Sequence, residues 1–437
     1  MSEFDMEEDE KIPYDSEPIQ RGAPHEYYRY VKEQKKQQKQ GQERKKNWLF
    51  YATIGLCVVV AVLSFSVFSI GKKLSLLTES GSDYTMNINA TGNDASYAVA
   101  KGMLSSVCVS ASSTNNGADA NAFFSSAMSS RGSGVIIELN KDTGSAYILT
   151  NYHVVSNTNT NKVYAYRWVL LWDSVVPIAA TYVGGSSTYD IAVLKIENSN
   201  EIKKSSCAAA RIAKSSSVCV GEQVCAIGNS RARNLRITTG VVSVEEDLMG
   251  NNYNMYISHS ADVNSGNSGG GLYNSSGDLV GIVNAKYKDV NETTGELLYA
   301  EVIHGMNYAI PIDLAYNIGK NIIRNNSGPI KPALGLTLGD SYSYSGKHFD
   351  ILENGKGYTT YDMVITKSVG NFWVNDQLIS ATYNFAGVEQ TMELNRLFAL
   401  DSMLFNLDQG TEVKFKVLRN GSEHTVTVHV DSVVSVS

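Results

Sequence analysis

The sequence is poor in proline, cysteine and charge. Only 7 of its 437 residues are proline, and charged residues make up 19%. The cysteines, Cys57, Cys108, Cys207, Cys219 and Cys225, lack the paired spacing of a zinc site, so we predict no metal ligation. They also lack the density of a disulfide framework. A single bridge between Cys219 and Cys225 stays open, against the interpretation of Cys225 as a buried thiol in an apolar strand.

The sequence lacks the features expected of ATP-dependent enzymes and of nucleic-acid-binding proteins. The sequence contains no Gly-rich nucleotide loop ending in Lys-Ser or Lys-Thr, so nothing in it indicates use of ATP. The formal net charge of -7 gives no global indication of nucleic-acid binding, and we predict none. A hydrophobic content of 43% is typical of a globular protein, and the length allows two or three domains.

One apolar run determines the expected topology. From Trp48 to Ile70 there is no charged residue. A helix of this length spans about 34 Å, enough to cross a bilayer. A buried core helix fits such uninterrupted apolarity poorly, and a cleaved signal peptide would not have so long a leader. We therefore predict a transmembrane helix over residues 47–71.

The flanks of this run predict its orientation. Residues 1–46 begin acidic and become rich in Lys, Arg and Gln, which predicts a disordered cytoplasmic tail. Lys72 and Lys73 weaken this orientation only slightly. Residues 72–96 are small and polar, as in a linker. The chain is thus expected to be a single-pass protein of the cell membrane with its C-terminal bulk outside.

Short strand-like segments recur through residues 97–328, separated by turn residues. This spacing is typical of a β-barrel or paired barrels. Residues 112–133 are small and polar and predict a long mobile loop inside that domain. Residues 332–433 combine strands with a helical segment near 393–404, which predicts a small α+β module.

The strongest local signal is the sequence Gly266-Asn267-Ser268-Gly269-Gly270. A serine hydroxyl attacks a carbonyl only when a base takes its proton and donors stabilise the oxyanion. Glycines let successive backbone amides turn toward one point. Ser268 is therefore the predicted nucleophile and Gly266, Asn267 and Ser268 the predicted oxyanion hole. An ordinary glycine-rich turn is the alternative.

Two other residues support the nucleophile. His153 follows an apolar strand in the segment TNYHVV, and Asp190 begins the apolar strand DIAVLKI. An aspartate there is costly unless it is hydrogen-bonded, and orienting an imidazole would satisfy it. The order His, Asp, Ser is that of chymotrypsin-like proteases.

These motifs resemble the HtrA (Deg) family of serine proteases, in the membrane-anchored form with one C-terminal PDZ domain. GSGVII, TNYHVV, YDIAVLKI, GNSGGGL and GDLVGIVNA match the family pattern in order. The resemblance implies a chymotrypsin-like double β-barrel in which His153 is the base, Asp190 orients it and Ser268 attacks. It also implies a homotrimer, no cofactor, and regulatory loops that include residues 286–304, which we expect to be partly mobile without substrate.

The chain departs from the family pattern around the nucleophile. Ser265 and Gly271 stand where the family has prolines, which predicts a softer loop. We place Asp262, Val263 and Asn284 in the substrate pocket. The family norm is a small aliphatic residue before the cut. An acid six positions before the serine suggests some tolerance of Lys or Arg, unless Asp262 faces solvent.

The C-terminal module resembles a PDZ domain with an atypical groove. Its peptide-binding loop would contain Leu334, Gly335 and Leu336, and such modules bind extended peptide by strand addition. A degenerate groove that binds no peptide is the alternative.

The sequence as a whole predicts an endopeptidase that cuts misfolded or mislocalised extracytoplasmic proteins. A dedicated signalling protease with one envelope substrate, and a non-catalytic chaperone on a protease scaffold, remain as alternatives.

Overall fold

The part of the chain with defined structure is the C-terminal three quarters. The computed structural model describes residues 32, 33, 36, 96–117, 119–248, 255–286, 305–338, 347–351 and 356–436. The predicted membrane helix at 47–71, the linker and the loop at 287–304 lie outside these residues. Among the residues described, no helix is long and apolar enough to cross a membrane.

The first group of elements runs from Ser96 to Lys204. Its helices and strands are α1 (Ser96–Ser105), β1 (Ser106–Ser112), α2 (Ala120–Phe124), β2 (Ser130–Asn140), β3 (Ser145–Thr150), α3 (Tyr152–Val155), β4 (Ser156–Asn157), β5 (Lys162–Val163), β6 (Tyr166–Leu171), β7 (Ile178–Ala179), β8 (Thr181–Ser186), β9 (Ile191–Ile196) and α4 (Asn200–Lys204).

Seven of these strands form one antiparallel sheet in the order β7-β6-β1-β2-β3-β9-β8. Its inner face is a core of β-branched and leucine side chains such as Val107, Ile148 and Leu194, all fully buried. The segment from Lys162 to Trp172 is divided between β5 and β6. Within the described residues the edge strands β7 and β8 do not pair with each other. This half is therefore an open sheet rather than a closed barrel.

The second group completes the protease-like body. It contains β10 (Gln223–Gly228), β11 (Arg236–Leu248), β12 (Met255–His259), β13 (Gly271–Asn274), β14 (Leu279–Lys286), β15 (Asn307–Pro311) and α5 (Ile312–Asn325), with short 3-10 turns at Ser215–Ser217 and Ser230–Ala232. Its six strands form a closed barrel in the order β10-β11-β12-β15-β14-β13. The mainly β, chymotrypsin-like fold predicted from the sequence is thus confirmed.

Residues 112–133 are more ordered than their composition predicts. They contain the end of β1, the helix α2 and the start of β2. Phe123 of α2 is fully buried and packs with Trp168 and Leu170. Asp119 caps the helix by accepting a hydrogen bond from the amide of Ala122. Burial of one aromatic side chain, which composition does not reveal, accounts for the difference.

The C-terminal elements form an α+β unit. They are β16 (Ile330–Pro332), β17 (Thr337–Leu338), β18 (Lys347–Ile351), β19 (Gly357–Tyr361), β20 (Met363–Lys367), β21 (Gln377–Phe385), β22 (Val388–Glu393), α6 (Leu397–Leu404), β23 (Glu412–Arg419), β24 (Ser422–His429) and β25 (Val433–Ser435). Five strands run in the order β17-β20-β21-β23-β24, and β22 pairs with β21. The helix predicted near 393–404 begins at Leu397, because β22 extends to Glu393 and residues 394–396 are irregular.

The four cysteines in the described part of the chain are all buried free thiols, namely Cys108, Cys207, Cys219 and Cys225. Burial raises the pKa of the Cys225 thiol to about 12. The disulfide left open between Cys219 and Cys225 is therefore absent from this structure.

Charged side chains are buried where the C-terminal unit contacts the barrel. Arg396 is fully buried and donates to the carbonyl oxygen of Val218 at 3.1 Å. Glu246, at the end of β11, accepts the amide of Leu397 at 3.1 Å. Burial raises the pKa of the Glu246 carboxyl to about 7. This contact surface therefore contains an acid that folding makes harder to ionise.

Glu246→Gln is expected to increase the free energy of unfolding above pH 7. The pKa of Glu246 is about 7 when folded and ordinarily 4.5, so the unfolded chain ionises first. Stability is therefore lost as pH rises between these values, by about 3 kcal/mol in total. Urea denaturation from pH 5 to pH 8 measures this loss, which the variant should lack. An exposed control, Glu389→Gln, should keep the wild-type profile, and equal slopes for all three proteins would contradict the prediction.

Candidate active site

His153 lies in the turn that follows β3. The strand is buried at its end, and Asn151 leads into the short helix α3, where Val154 and Val155 are buried. These apolar anchors fix the backbone on both sides of His153. The imidazole itself is only partly buried and stays accessible to a substrate.

Asp190 lies between β8 and β9 and holds His153 through two contacts. Its Oδ2 lies 2.7 Å from Nδ1 of His153, and its Oδ1 accepts the His153 backbone amide at 2.9 Å. Asp190 has a φ of +51°, a left-handed conformation that a non-glycine residue adopts at a cost. Because Nδ1 donates to Asp190, the opposite nitrogen, Nε2, is left to act as a base.

The carboxylate also determines the proton affinity of the imidazole. Burial alone would lower the pKa of His153, but the hydrogen bond and the negative charge of Asp190 outweigh it. The net effect raises the pKa of His153 above its ordinary value of 6.5. A base of this kind takes up a proton more readily than a free histidine.

Ser268 lies in the loop between β12 and β13, on a turn that requires glycine. Gly266 has a φ of +101° and Gly269 a φ of +82°. A Cβ at Gly266 would lie 2.1 Å from the carbonyl oxygen of Asn229, so no other residue fits there. Within the described residues, the amides of Gly266 and Ser268 donate no hydrogen bond. Both amides are thus available to an oxyanion. The amide of Asn267, which was also predicted for the hole, instead donates to the carbonyl oxygen of Asn264 at 2.9 Å.

Ser133 fastens this loop to the first sheet. Its Oγ donates to the carbonyl oxygen of Gly266 at 2.6 Å and accepts the amide of Asn229 at 2.7 Å. Its own amide donates to the carbonyl oxygen of Ser268 at 2.8 Å. These hydrogen bonds of one buried residue therefore tie the loop that carries Ser268 to the first sheet.

The Ser268 hydroxyl points to Asn284 in this structure. Its Oγ donates to the carbonyl oxygen of Asn284 at 2.9 Å, and none of the described hydrogen bonds joins it to His153. The Asn284 side chain in turn donates to Oδ2 of Asp190 at 2.6 Å. The His–Asp pair is therefore assembled, whereas the nucleophile must rotate about χ1 to reach the base.

The three predicted pocket residues occupy different environments. Asn284 and Val263 are buried, and the Val263 amide donates to Oδ1 of Asn307 at 3.3 Å. Asp262 is exposed, and its carbonyl oxygen accepts the hydroxyl of Thr238 at 2.7 Å. An exposed carboxylate is the arrangement expected if Asp262 faces solvent rather than the base of a pocket.

The predicted peptide-binding loop lines a cavity whose lining residues do not include the triad. Leu334, Gly335 and Leu336 line a cavity of about 380 Å³ together with Lys331 and one face of α6. Gly335 has a φ of +67°, as a tight loop requires. Lys331 forms an ion pair with Asp401 of α6 at 2.9 Å, close to one end of this cavity.

Other candidate chemistries find no support in the described residues. Their His, Cys, Asp and Glu side chains form no cluster of three or more that could hold a metal ion. His259 is fully buried, and burial lowers its pKa to about 4, so it cannot serve as an alternative base.

Sequence reasoning missed several residues that position the site. Asn151 donates its side-chain amide to the carbonyl oxygen of Asp190 at 2.8 Å, and Ser133 holds the nucleophile loop. Asn151 lies in the motif TNYHVV, two residues before His153, and Ser133 lies in the motif GSGVII. Their membership of these motifs could have indicated a role at the site. The contact of Asn284 with Asp190 joins residues 94 positions apart and had no local signal.

Comparisons with known proteins agree with this geometry. Residues 132–282 match the family of trypsin-like peptidase domains. Serine endoprotease DegS of Haemophilus influenzae is 33% identical over 199 residues, which cover 44% of this chain and 50% of that protein. The serine protease Do-like HtrA of Bacillus subtilis is 27% identical over 318 residues, which cover 69% of this chain and 64% of that protein.

A crystal structure of the serine endoprotease from Yersinia pestis aligns with a TM-score of 0.42 and 22% identity, over 78% of this chain and 98% of that one. The chain spans about half to two thirds of the length of the curated relatives it matches. From its matched domain and these relatives, the chain carries a trypsin-like serine peptidase domain that is similar to the HtrA and Deg serine endoproteases.

Proposed function

We propose that this protein is a membrane-anchored serine endopeptidase that hydrolyses polypeptides through an acyl-enzyme. The observation that carries the proposal is the hydrogen-bonded pair of His153 and Asp190, with Ser268 on a glycine turn beside it. This arrangement supplies a base, an orienting acid and a nucleophile on a trypsin-like domain. No cofactor is needed, since these groups carry out the reaction alone.

The reaction begins when the Ser268 hydroxyl leaves the Asn284 carbonyl and turns to Nε2 of His153. As Oγ attacks the substrate carbonyl carbon, Nε2 takes the hydroxyl proton and Asp190 stabilises the resulting imidazolium. The free amides of Gly266 and Ser268 then receive the oxyanion. His153 next gives the proton to the leaving amine, which departs and leaves the acyl-enzyme.

Water completes the cycle by the same route. His153 takes a proton from the water as its oxygen attacks the acyl carbon, and the second tetrahedral intermediate collapses to release Ser268. For specificity, we propose a small aliphatic residue before the cut, because buried Val263 offers an apolar wall. The exposed position of Asp262 gives little support to tolerance of Lys or Arg.

The location and substrates follow from the sequence and from the relatives. The apolar run at 47–71 and its basic flank support a single-pass anchor with the peptidase outside the cell membrane. Relatives carry the names of periplasmic serine endoproteases. We therefore propose misfolded or mislocalised extracytoplasmic proteins as substrates and a homotrimer as the assembly.

The C-terminal unit is proposed to be a PDZ-like module over residues 332–433. A cavity beside the loop at Leu334–Leu336 and the helix α6 is suited to an extended peptide. A dedicated signalling protease remains the second candidate, because one groove of this size could select one partner. No observation favours a non-catalytic chaperone over either.

The test compares unfolded and folded forms of one substrate. The full chain in detergent, without ATP, is expected to cleave reduced and carboxymethylated lysozyme at least tenfold faster than the native protein. Mass spectrometry of the products identifies the cut sites, which should follow small aliphatic residues. Equal cleavage of both forms, or cleavage at one unique sequence only, would favour the signalling protease.

A further inference from the structure

A loop rich in arginine lies directly beside the nucleophile. Residues 229–235 connect β10 to β11 and, with Arg236 at the start of β11, contain three arginines. The backbone amide of Arg231 donates to the carbonyl oxygen of Ser265 at 2.7 Å. The carbonyl of Asn229 lies where a Cβ of Gly266 would be. The loop therefore forms a wall of the catalytic turn.

The loop has a defined and strained shape. Arg231, Ala232 and Asn234 have φ values of 55°, 52° and 69°, in a region that disfavours residues with a Cβ. Its far end is fixed, because Leu235 packs on the cluster around Phe123 and Trp168. Strained backbone that surrounding contacts hold in place is concentrated at functional sites. The backbone that carries the arginines is thus held in one conformation.

The three guanidinium groups have no acidic partner in the described structure. Arg231, Arg233 and Arg236 are exposed, and none forms an ion pair with a carboxylate of the described residues. Three other arginines do form ion pairs: Arg211 with Asp278, Arg324 with Asp408, and Arg419 with Asp376. An unpaired positive cluster in a chain of net charge -7 is a local exception beside the catalytic turn.

We propose that this arginine loop, Arg231, Arg233 and Arg236, is a specificity element that selects polypeptides with acidic residues flanking the cut site. The inference rests on the proposed endopeptidase function. Guanidinium groups bind carboxylates through paired hydrogen bonds, and positive charge at a cleft raises the local concentration of acidic segments. Exposed pairs each contribute modestly, so three give a preference of about tenfold at low salt. The preference is lost as salt screens the charges.

The test uses matched fluorogenic peptides with the same aliphatic cut site and either Glu or Gln at the three positions on each side. For the full chain at 20 mM salt, about a tenfold higher kcat/KM is expected for the Glu peptide, which falls toward 1 at about 0.5 M salt. In R231Q/R233Q/R236Q this ratio should fall to about 1. A second variant, R233Q/R236Q, leaves the strained Arg231 in place and should lower the ratio severalfold. Because the ratio is taken within each protein, partial loss of folding does not affect it.

A matched control removes the same charge elsewhere. Lys162, Lys203 and Lys204 are exposed residues of the first sheet region, and K162Q/K203Q/K204Q should retain the wild-type ratio. A wild-type ratio near 1, or a ratio that survives loss of the three arginines, overturns the proposal. So does an equal loss in the lysine control, which would show an effect of net charge alone.

Binding separates this proposal from the proposed function. If wild type cleaves neither peptide, the endopeptidase proposal fails, and the affinity of Ser268→Ala for the two peptides still tests the loop. Tighter binding of the Glu peptide that depends on the three arginines supports the specificity element. Equal affinities contradict it.

Discussion

Ser268→Ala is expected to reduce kcat on an unfolded protein substrate by about a millionfold, to the background of the assay. The Ser268 hydroxyl is the group that forms the acyl-enzyme in this mechanism, so its removal abolishes the covalent step. Because Ser268 Oγ makes one hydrogen bond, to the Asn284 carbonyl, its removal should leave the fold intact. Continuous fluorescence with labelled casein measures the rate.

Ser276→Ala provides the matched control for this variant. Ser276 is exposed in the turn between β13 and β14, and its replacement should leave the rate at wild-type level. Circular dichroism of both variants checks that the fold is retained. Residual activity of Ser268→Ala above about one hundredth of wild type would be incompatible with the acyl-enzyme mechanism.

Asp190→Asn is expected to lower kcat by about 10⁴-fold. Asparagine can donate to Nδ1 of His153, which places the proton on Nε2, the nitrogen that must act as the base. The change also removes the negative charge that raises the pKa of His153. Rates at pH 8 for the two proteins measure the first effect.

The pH profile measures the second effect of this substitution. His153 must be neutral to accept a proton, so kcat/KM of wild type should fall as pH drops through a midpoint above 6.5. In Asp190→Asn that midpoint should move down. Folding stability changes with pH in the opposite direction to activity. The raised pKa of His153 contributes stability below pH 6.5, and this contribution is lost as pH rises through the pKa of His153 in the folded protein. An unchanged midpoint would show that Asp190 does not determine the basicity of His153.

The contact between Ser268 and Asn284 describes a resting site. One oxygen of Asp190, Oδ2, accepts from both His153 and Asn284, so the acid is fully occupied. Asn284 lies at a register shift of β14, where its carbonyl is available to partners other than the ladder. The triad is therefore not complete in this structure, because the Ser268 hydroxyl donates to Asn284 rather than to His153.

The sequence was sufficient for those parts of the fold that local pattern determines. Short segments rich in β-branched and aromatic residues predicted β3, β9 and β14, and the residues beside β3 and β9 supplied His153 and Asp190. The glycine pattern around Ser268 predicted a turn with positive φ, because only glycine adopts it without strain. These features depend on a few neighbouring residues and so can be recognised without a structure.

Features that depend on distant contacts could not be predicted in this way. The order in residues 112–133 comes from burial of Phe123 against Trp168. Burial of Arg396 and Glu246 depends on how the C-terminal unit meets β11. The strained arginine loop has the composition of a solvated turn. Its position beside the catalytic turn is visible only from the hydrogen bond between Arg231 and Ser265. The membrane helix at 47–71 and the loop at 287–304 remain predictions.

The most direct test of the central claim is covalent labelling of the full chain with a fluorophosphonate, followed by mapping of the modified residue by mass spectrometry. The reagent phosphonylates only a serine that a base activates. In the presence of an unfolded polypeptide, we expect one label per chain, on Ser268, and none in the His153→Ala variant. Labelling of a different serine, or none on a folded wild-type chain, would contradict the assignment of Ser268 as the nucleophile.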